Sequence, residues 1–130
     1  MTISAEDLVA RAALARERAY APYSGYKVGA ALLTRSGQVY TGTNVENAVY
    51  PLGTCAERTA VVKAVSEGER EFEAIAVVTS NGGTPCGSCR QILHEFAPHL
   101  RVIIADESGA YRETTLDQLL PAPFDADKLP

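Results

Sequence analysis

Near the N-terminus Leu8, Ala12, Ala15 and Ala19 recur at helical spacing behind Ser4-x-x-Asp7, and the pattern runs on until Pro22. A serine three residues ahead of an acidic residue marks a helix start, and proline lacks the amide that a helix interior needs, so a first helix is predicted between them. After the turn-rich APYSGY, the runs KVGAALLT and QVYTGTNV are strand-like and are separated only by Arg35-Ser36-Gly37. A connection that short and glycine-containing predicts a hairpin, hence antiparallel neighbours. From Cys55, CAERTAVVKAVSEG is helical, with Ala60, Val61, Ala64 and Val65 apolar and Gly68 as a stop signal. Apolar residues on several of its sides predict a buried helix, and Thr54-x-x-Glu57 ahead of it fits a capping box.

FEAIAVVTS barely alternates between apolar and polar positions, as expected of a strand buried on both faces. The loop NGGTP leads to CGSCRQILHEFAPHL, helical until Pro98. RVIIAD and YRETT are strands joined by ESGA, and Thr115 opens a short last helix, LDQLL. A parallel crossover takes about a dozen residues or more, so these last two strands must be antiparallel. The expected fold class is α/β: a three-layer α/β/α sandwich with a mixed sheet of about five strands. At 130 residues the chain suits one domain, 1–130, with a proline-rich tail, PAPFDADKLP.

Composition narrows the partners. The 46% hydrophobic and 22% charged residues are ordinary for a globular chain. A formal net charge of -4 without a lysine or arginine cluster argues against a nucleic-acid polymer as partner. No apolar run approaches the roughly 20 residues that cross a bilayer, and MTISAEDLVARAALARERAY lacks a signal-peptide core, so no membrane partner is expected and the expected location is cytoplasmic. Cys55, Cys86 and Cys89 are an odd number in such a chain, which favours metal or thiol chemistry over a disulfide framework.

Cys86-x-x-Cys89 alone fits a metal clamp and a thioredoxin-like redox pair equally well. Cys55 also lies at a predicted helix start, so packing the two helices side by side would converge three sulfurs at their N-termini, and a redox pair has no need of the third. Helix N-termini favour the thiolate, the form that binds zinc. Three protein ligands leave the fourth position of zinc open to water, which is the arrangement of catalytic rather than structural sites. His94 and His99 lie too far along the second helix to point back and close the site, although a structural site of three cysteines and one histidine stays open as an alternative. With Cys55 at the cap, where the backbone is not yet helical, the Glu57 carboxylate can border the same water and move its proton.

With these residues assembled, the chain resembles the small homotetrameric cytidine deaminases of pyrimidine salvage. NVENAVYPLGTCAERTA (44–60) and PCGSCRQ (85–91) match their two signatures, and APYSGYKVGAALL and LLPAPF match near the two ends. The resemblance implies one Zn2+ per chain on Cys55, Cys86 and Cys89, with Glu57 as proton shuttle. It further implies that Asn44 and Glu46 bind the ribose, chiefly its 3'-hydroxyl, and that the Ala56 backbone contacts the pyrimidine carbonyl. Tyr26 stands where the family usually has phenylalanine against the nucleoside. Tyr50 and Phe124 correspond to residues that reach the pocket from neighbouring subunits, Phe124 stacking on the base, although LLPAPF carries an extra proline. Arg58 corresponds to an arginine that offsets the charge of three thiolates. The implied substrate is a small-molecule nucleoside and the implied assembly a homotetramer with shared active sites. Asn44-x-Glu46-Asn47-Ala48 speaks for a nucleoside over a free base, and the antiparallel final strands speak against polymer-editing deaminases. A redox protein and a structural zinc module are the rivals outside the class.

Overall fold

The computed structural model describes residues 3–130. In chain order the elements are α1 (Ala5–Arg16), β1 (Gly29–Thr34), β2 (Val39–Thr43), a 3-10 turn (Tyr50–Leu52), α2 (Ala56–Ser66), β3 (Phe72–Val78), α3 (Gly87–Phe96), β4 (Arg101–Ala105), β5 (Tyr111–Thr115), α4 (Leu116–Leu119) and a final 3-10 turn (Ala126–Lys128). The five strands form one sheet in the order β2-β1-β3-β4-β5. β1 pairs antiparallel with both β2 and β3, β3 pairs parallel with β4, and β4 pairs antiparallel with β5. The mixed sheet and the antiparallel last pair are as the connection lengths require.

Alternation along the inner strands divides the core into two layers. Ala31, Leu33, Ala74, Ala76, Val78 and Ile103 face one side, where Leu8, Val9 and Ala12 of α1 cover them. Their neighbours Ala30, Leu32, Ile75, Val77, Val102 and Ile104 face the other, under α2, α3 and Leu116 of α4. Helices on both faces make the three-layer α/β/α sandwich, and every residue of β1 is buried. Each buried valine, leucine or isoleucine contributes about 1.5–3 kcal/mol, so these central strands anchor the molecule.

Three local expectations are corrected. α1 begins as predicted, the Ser4 hydroxyl accepting the Asp7 N–H at 3.1 Å, but it ends at Arg16 rather than near Pro22. The chain leaves it because Tyr20 is drawn into a bridge beside Val45, donating to the Asn44 carbonyl at 3.0 Å and accepting from the Glu46 N–H at 2.9 Å. The N-cap of α2 is Cys55, and Thr54 makes no capping box, since its backbone pairs in both directions with Val45 at 3.0 Å. α2 is also one-sided: Ala56, Ala60, Val61 and Ala64 are buried, whereas Val62 is 52% exposed.

Small residues let the helices approach the sheet closely. A Cβ on Gly42 of β2 would lie 2.4 Å from the Ala56 carbonyl oxygen and 2.6 Å from the Ala60 nitrogen, so α2 rests directly on this glycine. The Thr59 hydroxyl fastens the same turn by donating to the Thr43 carbonyl at 3.1 Å.

The connectivity fixes where α2 and α3 begin. α2 precedes β3 and runs back along it, so its first turn lies at the C-terminal end of that strand; α3 follows β3 and starts from the same end. Both N-termini therefore meet beside Val77 and Thr79. Among the described residues no helix is long and apolar enough to cross a membrane.

Candidate active site

Cys55 and Cys86 are the N-caps of α2 and α3, both with extended backbone, and Cys89 follows within the first turn of α3. An N-cap side chain folds over the third helical residue, which brings Cys86 and Cys89 to one side of the helix. The three sulfurs lie within 4.8 Å of one another, and those of Cys55 and Cys86 are 4.0 Å apart. Three ligands of a tetrahedral zinc at about 2.3 Å each would stand about 3.8 Å apart, so the cluster fits that ion.

The electrostatics agree. A hydrogen bond from Cys89 pulls the Cys55 thiol down to about 6, against the effect of burial and with help from Cys86 and the Arg58 charge. Cys89, the donor to Cys55 and itself buried, is pushed up instead. The Cys55 and Cys89 sulfurs thus share a proton unequally, and a metal bound by the cluster would displace it. His94 pairs with Asp125, and His99 Nδ1 lies 3.9 Å from Asp117, so neither histidine belongs to the cluster.

Glu57 is the second residue of α2 and is 5% exposed. Burial pushes its carboxyl up to about 7, with the Cys55 charge acting in the same direction and a backbone hydrogen bond opposing both. Because Cys55 is extended, its sulfur and the Glu57 carboxylate line one cavity although they are only two residues apart. That cavity has a volume of about 650 Å3. Cys55, Glu57 and Cys86 line it together with Ala56, Asn44, Glu46, Tyr26 and Tyr50, which brings most of the residues singled out in the sequence to one place.

Asn44 and Glu46 are held by the segment between α1 and β1. Asn44 Oδ1 accepts from the Val28 N–H at 2.9 Å, and its Nδ2 donates to the Tyr26 carbonyl at 2.8 Å. One oxygen of Glu46 accepts from the Tyr23 and Ser24 amides at 2.9 and 3.0 Å; the other accepts from the Ser24 hydroxyl. Tyr50, 74% exposed, stands at the rim of this cavity, its ring edge-on to Tyr23 at 5.9 Å. Phe124 is not part of this cavity: its backbone is bracketed by the Gln91 amide at 2.7 and 3.1 Å while the residue is 57% exposed. Arg58 is exposed too, and it acts on Cys55 through charge rather than through a hydrogen bond.

Two supporting residues escaped the sequence reading. Ser24 is one, and Arg90 is the other: its guanidinium donates to the Pro85 carbonyl at 2.7 Å, the Leu119 carbonyl at 2.8 Å and the Thr84 hydroxyl at 3.0 Å, stapling the loop before Cys86. A signal was present, because a cation in the first turn of a helix opposes the dipole and needs some other purpose.

Three convergent thiols, a buried glutamate and a pocket lined by Cys55, Cys86 and Glu57 are the arrangement of a zinc-dependent hydrolytic enzyme. The family described as "Cytidine and deoxycytidylate deaminase zinc-binding region" matches residues 2–105. The chain is 47% identical to the cytidine deaminase of Sporosarcina psychrophila over 127 residues, 95% of this chain and 93% of the relative, and 48% identical to that of Halalkalibacterium halodurans over 125 residues, 94% and 95%. The crystal structure of cytidine deaminase from Burkholderia pseudomallei superposes with a TM-score of 0.90 at 49% identity, covering 94% of this chain and 100% of that one. The chain belongs to the cytidine deaminase family, whose cofactor is the zinc ion that the cysteine cluster fits.

Proposed function

We propose that the protein hydrolyses cytidine and deoxycytidine to uridine and deoxyuridine with release of ammonia, a reaction of pyrimidine salvage. The observation that carries this reading is the buried Glu57 carboxyl beside three convergent sulfurs, with Cys55, Glu57 and Cys86 lining one cavity of about 650 Å3. When bound by Cys55, Cys86 and Cys89, zinc lowers the pKa of a water towards about 7 and so supplies hydroxide at neutral pH. Glu57 takes the proton that this water loses and delivers it to N3 of the pyrimidine, making C4 electrophilic. After hydroxide has attacked C4, Glu57 takes the proton of the new C4 hydroxyl and carries it to the departing amino group, so that the C4 carbonyl forms and the C4–N4 bond breaks as ammonia leaves. Burial raises the hold of this carboxyl on a proton, which suits a group that accepts one and passes it on.

The Ala56 N–H, in the first turn of α2, has no acceptor within the helix and is available to the pyrimidine carbonyl. Asn44 and Glu46 orient the ribose, the Tyr26 ring packs against the nucleoside, and Arg58 moderates the charge of the thiolates. The whole chain acts as one catalytic domain, and three free thiols suit a cytoplasmic location. Val49, Tyr50, Leu52, Val62 and Phe124 are exposed apolar side chains, which supports a homotetramer in which neighbours cover these surfaces and Phe124 stacks on the base in a neighbouring pocket.

Zinc content and the ultraviolet absorbance of added cytidine test the reading together. Near-stoichiometric zinc with conversion to uridine is expected. A metal-free protein carrying a reducible Cys86–Cys89 disulfide would refute it. Glu57→Gln should keep zinc and lose about 10²–10⁴-fold in turnover, the usual worth of a positioned proton carrier.

A further inference from the structure

The hydroxyl of Tyr26 is not used by the reaction above, yet it sits between the two walls of the pocket. It donates to Asn81 Oδ1 at 2.7 Å, across 55 residues of sequence. Asn81 belongs to the loop that runs from β3 to Cys86. That loop is folded over Thr79, whose buried hydroxyl accepts from the Gly82 and Gly83 amides at 2.8 and 2.9 Å and donates to Asn81 Oδ1 at 3.4 Å. On its other side, Tyr26 is tied by its backbone to the ribose-side wall. Its N–H donates to Ser24 Oγ at 3.0 Å, the Ser24 hydroxyl donates to Glu46, and its carbonyl accepts from Asn44 at 2.8 Å.

We propose that the Tyr26 hydroxyl is a latch that fixes the Cys86-bearing loop against the Asn44 and Glu46 wall, making Tyr26 a positioning residue for the metal loop as well as a lining residue. A hydrogen-bonded chain runs from Glu46 through Ser24 and Tyr26 to Asn81 and Thr79, and no other residue in that chain touches both walls. Gly83 is shaped to this latch. A Cβ there would lie 2.6 Å from the Tyr26 hydroxyl oxygen, while its next neighbours, Asn81 Oδ1 at 3.7 Å and Tyr26 Cζ at 3.8 Å, are at ordinary contact distance. The hydroxyl is thus the one near atom that an alanine at position 83 would have to displace, and a phenylalanine at position 26 would tolerate alanine there.

This coupling gives the test. Tyr26→Phe keeps the ring and removes only the hydroxyl; Gly83→Ala pushes the hydroxyl off Asn81; the double variant has nothing left to clash. Zinc-loaded wild type and the three variants, each shown by its melting curve to be folded, are mixed with excess pyridylazo-resorcinol and the release of zinc is followed by colour. Tyr26→Phe should release zinc about three- to tenfold faster, the usual worth of one hydrogen bond. Gly83→Ala should do at least as much, and the double variant should match Tyr26→Phe alone. Equal release in all four proteins, or a Gly83→Ala penalty that persists in the phenylalanine background, overturns the proposal. The kinetic arm rests on the nucleoside reading: with cytidine, Tyr26→Phe should raise KM by a similar factor while kcat stays within about twofold. A KM equal to that of the wild type would contradict the coupling of the two walls. Should the wild type not act on cytidine at all, the proposed reaction fails, and the zinc-release cycle still decides the latch.

Discussion

Replacing Gly42 by alanine adds one methyl group at the point where α2 rests on the sheet. That Cβ would sit 2.4 Å from the Ala56 carbonyl oxygen, 2.6 Å from the Ala60 nitrogen and 3.0 Å from the Thr59 Cβ, where ordinary contact begins at 3.4 Å. Two of these neighbours are helix backbone, so no side-chain rotation can relieve the contact and the first turns of α2 must retreat by about 1 Å. Overpacking of this kind costs about 1–3 kcal/mol. The retreat also stretches the bond from the Thr59 hydroxyl to the Thr43 carbonyl, now 3.1 Å, which is worth about 1 kcal/mol more. A loss of roughly 2–4 kcal/mol lowers the melting temperature of a chain this size by roughly 8–15 °C. The same movement carries Cys55 and Glu57 with it, and a displacement of about 1 Å at reacting groups can cost about 100-fold in rate. Calorimetry and the cytidine absorbance assay measure both effects on one preparation. A Gly42→Ala protein that melts within about 2 °C of wild type, or that melts early yet turns over normally, would show that α2 is not seated by this glycine in the way the distances require.

Arg90→Lys keeps the charge but cannot span the Pro85 and Leu119 carbonyls and the Thr84 hydroxyl; a loss of about 2–3 kcal/mol in denaturant unfolding is expected, with faster zinc loss to a chelator. Arg58→Ala should raise the pH at which Cys55 of the metal-free protein reacts with iodoacetamide, since the arginine charge favours the thiolate, while leaving the fold intact. The Ser24 hydroxyl, with the Ser24 and Tyr23 amides, holds the Glu46 carboxyl below its ordinary 4.5. A carboxylate depressed in the folded state contributes stability above its unfolded value and loses it as pH falls through the folded one, so melting temperature should fall with pH below about 4.5, less steeply in Glu46→Gln.

How much of this was legible in the sequence varied with the range of the forces involved. The strands could be read because burial on one face imposes alternation and burial on two faces a near-continuous apolar run, and the antiparallel β4–β5 pair because four residues cannot carry a crossover. The cysteine cluster was legible because two helix starts carry the three sulfurs and the connectivity brings those starts together. What failed depended on contacts between distant segments. Proline marked an upper limit for α1, but the bridge between Tyr20 and Val45 ended it earlier. Thr54 has the chemistry of a cap and lost that role to the same Val45, which takes both of its backbone groups. The one-sidedness of α2 was hidden because valine and alanine are apolar wherever they point. The hydrogen-bond partners of Asn44 and Glu46 lie on a segment about 20 residues earlier, beyond the reach of any local pattern.

Under the proposed function, those partners bear on how the pocket would distinguish a nucleoside from a free base. Asn44 and Glu46 are not idle groups waiting for a ligand, since each already satisfies backbone groups of the segment from Tyr23 to Val28. An amide has two donor hydrogens and a carboxylate about four lone-pair sites, so each side chain retains unused capacity after its structural bonds are made. Those remaining positions are fixed in direction by the bonds already formed, and hydrogen bonds to a ribose hydroxyl can then form without ordering either side chain. Preorganisation of this kind raises affinity by removing an entropic cost that a mobile side chain would meet on binding. A free base leaves the remaining capacity of both residues unmet in a partly buried pocket, which is the arrangement that discriminates most strongly against an analogue lacking the hydroxyl. Cytosine should therefore be a far poorer substrate than cytidine, with a loss of about 10³-fold or more in kcat/KM. Comparable rates on the two would mean that Asn44 and Glu46 serve only to hold the Tyr23 to Val28 segment in place.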